Sequence, residues 1–161
     1  MRKLEKYRRK RSSKSPEPRG GKRKGGGRRF VVQEHDARSH HYDFRLEADG
    51  VLKSWAVPKG PSKDPSVKRL AIMTEDHPLD YADFEGEIPE GQYGAGTVRI
   101  WDRGRYRNRR AYGRDRSSMP KAIEEGLLEV TLNGGKLNGG YALKRIEGQG
   151  EKSRWLLIRM R

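Results

Sequence analysis

From Phe30 onward the apolar residues arrive in short runs, each cut off within a few positions by Gly, Asp or Asn. That texture favours short strands joined by tight turns over long helices. The segments 30–34, 41–47, 51–57, 69–74, 97–101, 105–111, 127–132, 141–146 and 154–160 read as strands. Ala48-Asp49-Gly50 and Asp102-Arg103-Gly104 each separate two such runs and predict hairpins. One helix-like stretch is visible, at 119–125, with Ser117 or Ser118 as its cap. Closely spaced short strands with 20 glycines argue for an all-β fold, a small closed or partly closed β-barrel of about eight strands. Residues 77–96 stay long and irregular, which in a small domain reads as a functional or lid-like loop.

The segment 1–29 has a different texture. It holds 14 Lys/Arg against two acids, Glu5 and Glu17, so +12 of the chain's net +15 lies there. It is rich in Gly and Pro and reads as a basic, flexible N-terminal arm ahead of a barrel domain at 30–161, with Leu4 and Tyr7 spaced to seat one helical turn. Such an arm neutralises phosphates without reading sequence, which favours nucleic acid as partner over a merely solubilising or localising tail. There are no cysteines, which excludes disulfides, thiolate zinc sites and a cysteine nucleophile and suits the cytoplasm. No apolar run approaches the roughly 20 residues of a membrane span, and the N-terminus lacks the apolar stretch of a secretory signal, so no membrane partner is expected.

Three of the four histidines, His35, His40 and His41, fall within seven residues. If 41–46 is a strand, its side chains alternate between faces. Tyr42, Phe44 and Leu46 then turn to the barrel interior, and His41, Asp43 and Arg45 form a polar row facing a groove. His41 and Asp43 point the same way, and His35 could join them across a turn or bulge; His40 has the wrong parity. Two imidazoles and a carboxylate suit Mn, Fe or Zn with positions left open, and the competing reading is a set of surface histidines on a polar strand face. His77 follows a strand. Lys59 lies in a proline-flanked turn, and Arg69 starts another strand; together these three could serve a phosphoryl group, though each alone suits an ordinary surface charge. Pro89 to Gly96 is neither a Walker A sequence nor a dinucleotide fingerprint, and it reads as a tight turn into the next strand.

EHDARSHHYDFRLEADGVLKSWAVPKGPS, EDHPLDYADFEGEIPEGQYGAG and IWDRG together closely resemble the 3′-phosphoesterase domain of bacterial DNA ligase D, densely over 30–104 and loosely elsewhere. The resemblance implies a small β-barrel with its active site on the outer surface. It implies Mn²⁺, with other divalent transition metals as substitutes, and resection of 3′ ends of DNA or RNA/DNA primer–templates. A phosphodiesterase step would remove a terminal ribonucleoside, and a phosphomonoesterase step would then leave a 3′-hydroxyl for a DNA ligase or polymerase. The family's metal ligands fall on His35, His41 and Asp43. Its phosphate-contacting and catalytic residues fall on Arg45, Lys59, Arg69, His77 and Tyr81, and in the arm on Arg11 and Glu17. The family's arm also carries an Asp after the Arg, where this chain has Ser12. A monomer is expected. Two other readings stay open here: a non-enzymatic nucleic-acid-binding barrel stacking bases on Trp55, Trp101 and Trp155, and an Fe(II) oxygenase of cupin type using His41, Asp43 and His77.

Overall fold

Period-two alternation becomes a closed wall. The computed structural model describes residues 2–20, 27–112 and 116–161. Its strands are β1 (Arg29–Ala37), β2 (His41–Ala48), β3 (Val51–Val57), β4 (Lys68–Met73), β5 (Gly86–Ile88), β6 (Gly96–Asn108), β7 (Leu127–Gly134), β8 (Asn138–Glu147) and β9 (Arg154–Arg159). All pairings are antiparallel, in the order β1-β2-β3-β4-β9-β8-β7-β6, and β6 returns to β1 to close an eight-stranded barrel. β5 is an extra strand laid along β6. The all-β barrel expected from the sequence is what forms. Closure removes the open edges that would otherwise invite aggregation.

Local chemistry sets the turns and caps. The β2–β3 hairpin turns on Asp49 (φ 56) and Gly50 (φ 78), the double left-handed geometry of a two-residue loop that matches strand twist. A short helix, α1 (Glu5–Arg9), follows a 3₁₀ turn at Arg2–Leu4. The second, α2 (Met119–Glu125), has Ser118 as its cap: the Oγ accepts from the Lys121 N–H at 3.3 Å, and Gly126 ends the helix in the left-handed region. No helix among the described residues is long and apolar enough to cross a membrane.

One predicted hairpin is wrong. Asp102-Arg103-Gly104 does not turn; β6 runs through it unbroken from Gly96 to Asn108. The turn chemistry there serves other purposes. The Asp102 carboxylate accepts from the N–H groups of Gly135, Lys136 and Leu137 at 2.8–3.0 Å and so caps the β7–β8 turn. Gly104 is needed for close strand approach, since a Cβ there would lie 2.1 Å from the Asn133 carbonyl oxygen. β6 also bulges at Trp101: Val32 pairs with Asp102 while Gln33 pairs with Ile100. The extra residue switches which parity faces outward.

The barrel interior holds Phe30, Val32, Phe44, Leu46, Trp55, Val57, Tyr106, Leu143, Trp155 and their neighbours, with the Trp55 and Trp155 rings edge to face at 5.6 Å. Met119 and Ala122 of α2 join this core. A second, smaller cluster lies outside the barrel. There Val31 of β1 and Leu52 of β3 meet Tyr7 of α1 and Leu79, Tyr81 and Ala82 of a 3₁₀ turn at Leu79–Asp83. Leu4 and Tyr7 do share one short helical turn, and both are buried. The Gly- and Lys-rich part of the arm, 21–26, lies outside the described residues.

Candidate metal centre and its cavity

The β2 alternation falls as the strand pattern requires. Phe44 and Leu46 enter the interior, Tyr42 packs against it, and His41, Asp43 and Arg45 take the outer face. The β1–β2 register then delivers His35. It pairs directly with His41, and Gln33 pairs with Asp43. The turn at 38–40 between β1 and β2 brings His35 round, as expected, and cross-strand pairing sets it on the same face.

His35, His41 and Asp43 offer ligand atoms that all lie within 4.8 Å of one another. His35 Nδ1 is 3.7 Å and His41 Nε2 is 3.2 Å from the same oxygen, Asp43 Oδ2. The opposite ring nitrogens face backbone carbonyls: His35 Nε2 meets the Gly94 oxygen at 2.8 Å, and His41 Nδ1 meets the Ser39 oxygen at 2.8 Å. Carbonyls only accept, so each ring places an N–H there and turns an unprotonated nitrogen toward Asp43. Three lone-pair donors therefore converge with two of them oriented from behind, which is the outer-shell arrangement of a metal-binding histidine. Burial opposes the charged form of His41, but the Asp43 carboxylate and the Ser39 carbonyl outweigh it and raise the pKa. Asp43 itself is held far below the usual carboxylate range: burial opposes this, and Arg45, His35 and His41 overcome it.

His41 and Asp43 of the polar row face a recess, as expected, but a covered one. Asp43 and Arg45 are buried, because α1, the following residues and the segment 74–95 cover this part of the outer wall. Arg45 donates from Nε to Gln33 Oε1 at 2.7 Å, sits 4.7 Å over the Tyr81 ring, and holds Nη2 3.5 Å from Asp43 Oδ2. Gln33 in turn donates to the carbonyls of Tyr81 and Phe84 at 2.7 and 3.1 Å. Arg45 thus stands behind the carboxylate, braced by a glutamine that sequence reasoning had not singled out.

A cavity of about 250 Å³ opens over the triad. Its lining includes His35, His41, Asp43, His77, Tyr81, Arg11 and Glu17, together with Glu75, Tyr93 and Gly94. The two arm residues thus reach the cavity. Arg11 Nε donates to Glu17 Oε1 at 2.9 Å and its Nη1 to Glu75 Oε2 at 3.2 Å, while Tyr81 donates its hydroxyl to Glu17 Oε2 at 2.6 Å. Lys10 also pairs with Glu75, at 3.1 Å. Ser12, in contrast, is exposed, and its Oγ accepts from the Lys14 N–H.

His77 is buried between the rings of Tyr7 and Tyr81, with centroids at 5.0 and 4.8 Å. Burial, then Arg45 and Arg11, push its pKa well below the ordinary value, so it is neutral. Its Nδ1 lies 2.9 Å from the Glu75 carbonyl, which fixes the proton on Nδ1 and leaves a lone pair on Nε2. Lys59 and Arg69 do not line the cavity. Lys59 is exposed just past β3, after Pro58, at the end of the wall level with His41. Arg69, paired with Leu157, is half-buried at the start of β4.

The two other readings meet specific obstacles. Trp55 and Trp155 are fully buried in the barrel core and offer no face to a base, and Trp101 is partly buried against it. The convergent ligand set contains His35 rather than His77, so the cupin-type grouping is not the one the fold assembles.

Barrel, triad and covered cavity together define a class: a small β-barrel with a candidate metal centre on its outer wall. A family profile for the DNA Ligase D 3′-phosphoesterase domain matches residues 33–145, and the chain belongs to that family. It is 52% identical over 160 residues to the multifunctional non-homologous end joining protein LigD of Pseudomonas aeruginosa, spanning 97% of this chain and 18% of that protein. The non-homologous end joining DNA repair protein LigD of Mycobacterium tuberculosis is 50% identical over 161 residues, 98% of this chain and 20% of the relative. The LigD of Mycolicibacterium smegmatis is 44% identical over 157 residues, 93% and 19%. The chain thus spans about a fifth of the length of these relatives.

Proposed function

We propose that this chain is a divalent-metal-dependent phosphoesterase that resects the 3′ ends of DNA or RNA/DNA primer–templates during non-homologous end joining. The observation that carries the reading is the convergence of His35 Nδ1, His41 Nε2 and Asp43 Oδ2 beneath a cavity also lined by Arg11 and a neutral His77. The donor set fits Mn²⁺ or a related transition ion, since nitrogen and oxygen ligands leave positions open on the cavity side. When bound, such a cation would polarise a phosphoryl oxygen.

The chain's own residues would do the rest. Arg45 keeps Asp43 ionised and aligned without touching substrate. Arg11 supplies positive charge at the cavity wall, and Glu17, Glu75 and Tyr81 hold it in place. His77 Nε2, carrying the lone pair, would take the proton released by the attacking water and pass it to the leaving oxygen as the P–O bond breaks, so it acts as acid only after acting as base. Lys59, just past the end of β3, and Arg69, at the start of β4, lie outside the cavity lining and would contribute as cations at that end of the barrel to phosphate charge extending out of the cavity. Removal of a terminal ribonucleoside followed by removal of the exposed 3′-phosphate would leave a 3′-hydroxyl for a ligase or polymerase. With Ser12 exposed and uncharged, Glu17 is the arm's carboxylate at the cavity.

The test is a 5′-labelled primer–template ending in one ribonucleotide, incubated with the protein with and without Mn²⁺. Mn²⁺-dependent shortening is expected. His41→Ala and Asp43→Ala are expected to lower metal affinity beyond the 10–100-fold typical of outer-shell changes, to roughly 100-fold or more, and to abolish resection. Near-normal Mn²⁺-dependent resection by either variant would overturn the assignment.

A further inference from the structure

The bulge at Trp101 has an effect beyond β6. Before it, Val98 and Ile100 face outward, opposite His35 and Gln33 of the candidate metal face; after it, Arg103 and Arg105 face outward, opposite Val31 and Arg29. Alternation continues the row with Arg107, opposite Thr131, and it ends at Arg109, whose Nη1 donates to Thr131 Oγ1 at 3.3 Å. Residues of the other parity, Asp102, Tyr106 and Asn108, are buried. One outer strand face thus begins beneath the cavity wall and emerges as four exposed arginines in sequence register.

The row is poorly neutralised. Arg103 makes a loose contact with the exposed Asp83 at 3.8 Å, its side chain still 64% exposed. Among the described residues, neither Arg105 nor Arg107 has an ion-pair or hydrogen-bond partner. Four guanidinium groups along one strand face, with Asp83 the one acid among the described residues paired to any of them, in an ion pair at 3.8 Å, repel one another, so a polyanion is the complementary partner. The spacing also fits. Outward side chains on a strand recur every ~6.7 Å, about twice the ~3.4 Å of axis per phosphate on one DNA strand. No aromatic side chain is interleaved among Arg103, Arg105, Arg107 and Arg109. Binding of unpaired bases would need a stacking platform between the cations. Tyr112, 86% exposed, flanks the far end of the row, where it shares a shallow depression with Arg107 and Arg109; it is a single aromatic at one end, not a platform between the cations.

We propose that this arginine row on β6 is the seat of the duplex backbone, holding the double-stranded part of the nucleic acid while its 3′ end occupies the cavity. The placement of the 3′ end rests on the function proposed above; the duplex contact does not. The test measures affinity of the full chain for a blunt DNA duplex with 3′-hydroxyl ends, in chelator, by fluorescence anisotropy across salt concentrations. The proteins are wild type, the triple variant Arg103→Gln/Arg105→Gln/Arg107→Gln, its Lys counterpart Arg103→Lys/Arg105→Lys/Arg107→Lys, and a control on the opposite wall, Lys68→Gln/Arg154→Gln. The slope of log affinity against log salt should fall by about 0.9 per arginine lost in the Gln variant, and stay near wild type in the Lys variant and the control. A wild-type slope in the Gln variant overturns the proposal, as does an equal loss per charge in the control. Cleavage plays no part in this readout, so the proposal can fail while the phosphoesterase reading survives, and the reverse.

Discussion

The two faces of β2 are both buried, for opposite reasons. Phe44 and Leu46 are buried because the barrel closes on itself, and apolar side chains from neighbouring strands meet there. Asp43 and Arg45, one residue away from them, are buried because remote segments lie over the outer wall: α1 and the residues after it from one side, 74–95 from the other. The interior gains stability from apolar area removed from water. The exterior holds charges whose desolvation has to be offset by partners: Arg45 with Gln33, and Arg11 with Glu17 and Glu75, are joined through Tyr81. A seam of that kind is costly to assemble but places charges in fixed, water-poor positions, which chemistry at a phosphate needs.

This contrast can be broken at three places. The largest effect is expected inside the barrel. Trp55→Ala should cost about 3–5 kcal/mol, as large cavities in aromatic cores do. Denaturant unfolding would measure it; a cost below about 1 kcal/mol would mean that the interior is not what holds the fold. A smaller effect is expected at the seam. Tyr81→Phe removes the 2.6 Å bond to Glu17 and should cost about 1.5–3 kcal/mol, the range for a hydrogen bond to a charged group. Hydrogen exchange should quicken in residues 2–20 while β7–β9 stay protected. Uniform loss of protection would show that barrel and cover unfold as one unit.

The smallest effect is a pH dependence carried by His77. Its folded pKa lies below the ordinary 6.5. Below that ordinary value the unfolded chain therefore binds a proton that the folded chain does not, and stability falls as pH drops toward the lowered value. Above 6.5 the residue contributes no slope. Between about pH 7 and about pH 5, wild type should lose more stability on acidification than His77→Gln. Parallel melting profiles would remove His77 as a buried neutral group.

Much of this was legible along the chain because strand alternation is a local property. The strand run at 51–57, the Asp49-Gly50 turn, the 119–125 helix and the common face of His41, Asp43 and Arg45 follow from neighbours in sequence. The failures are equally instructive. Asp102-Arg103-Gly104 has turn-forming residues, yet its aspartate caps a turn more than thirty residues away and its glycine admits a neighbouring strand. Gln33 gave no signal, because a glutamine becomes a brace only when a distant carbonyl and a cross-strand arginine arrive on either side of it.

By itself the sequence determined the barrel class, the polar row on β2 and the residue types of the candidate metal centre, since these depend on side-chain periodicity and chemical identity. Tertiary structure alone decided the rest. Cross-strand register placed His35 against His41, and the carbonyls of Gly94 and Ser39 set which ring nitrogens are free. Packing of α1 and the 3₁₀ turn over the wall buried Asp43 and Arg45 of the polar row and lowered the pKa of His77. The physical reason is that desolvation and protonation state depend on what lies within a few ångströms in space, and here those neighbours come from segments that are far apart in the chain.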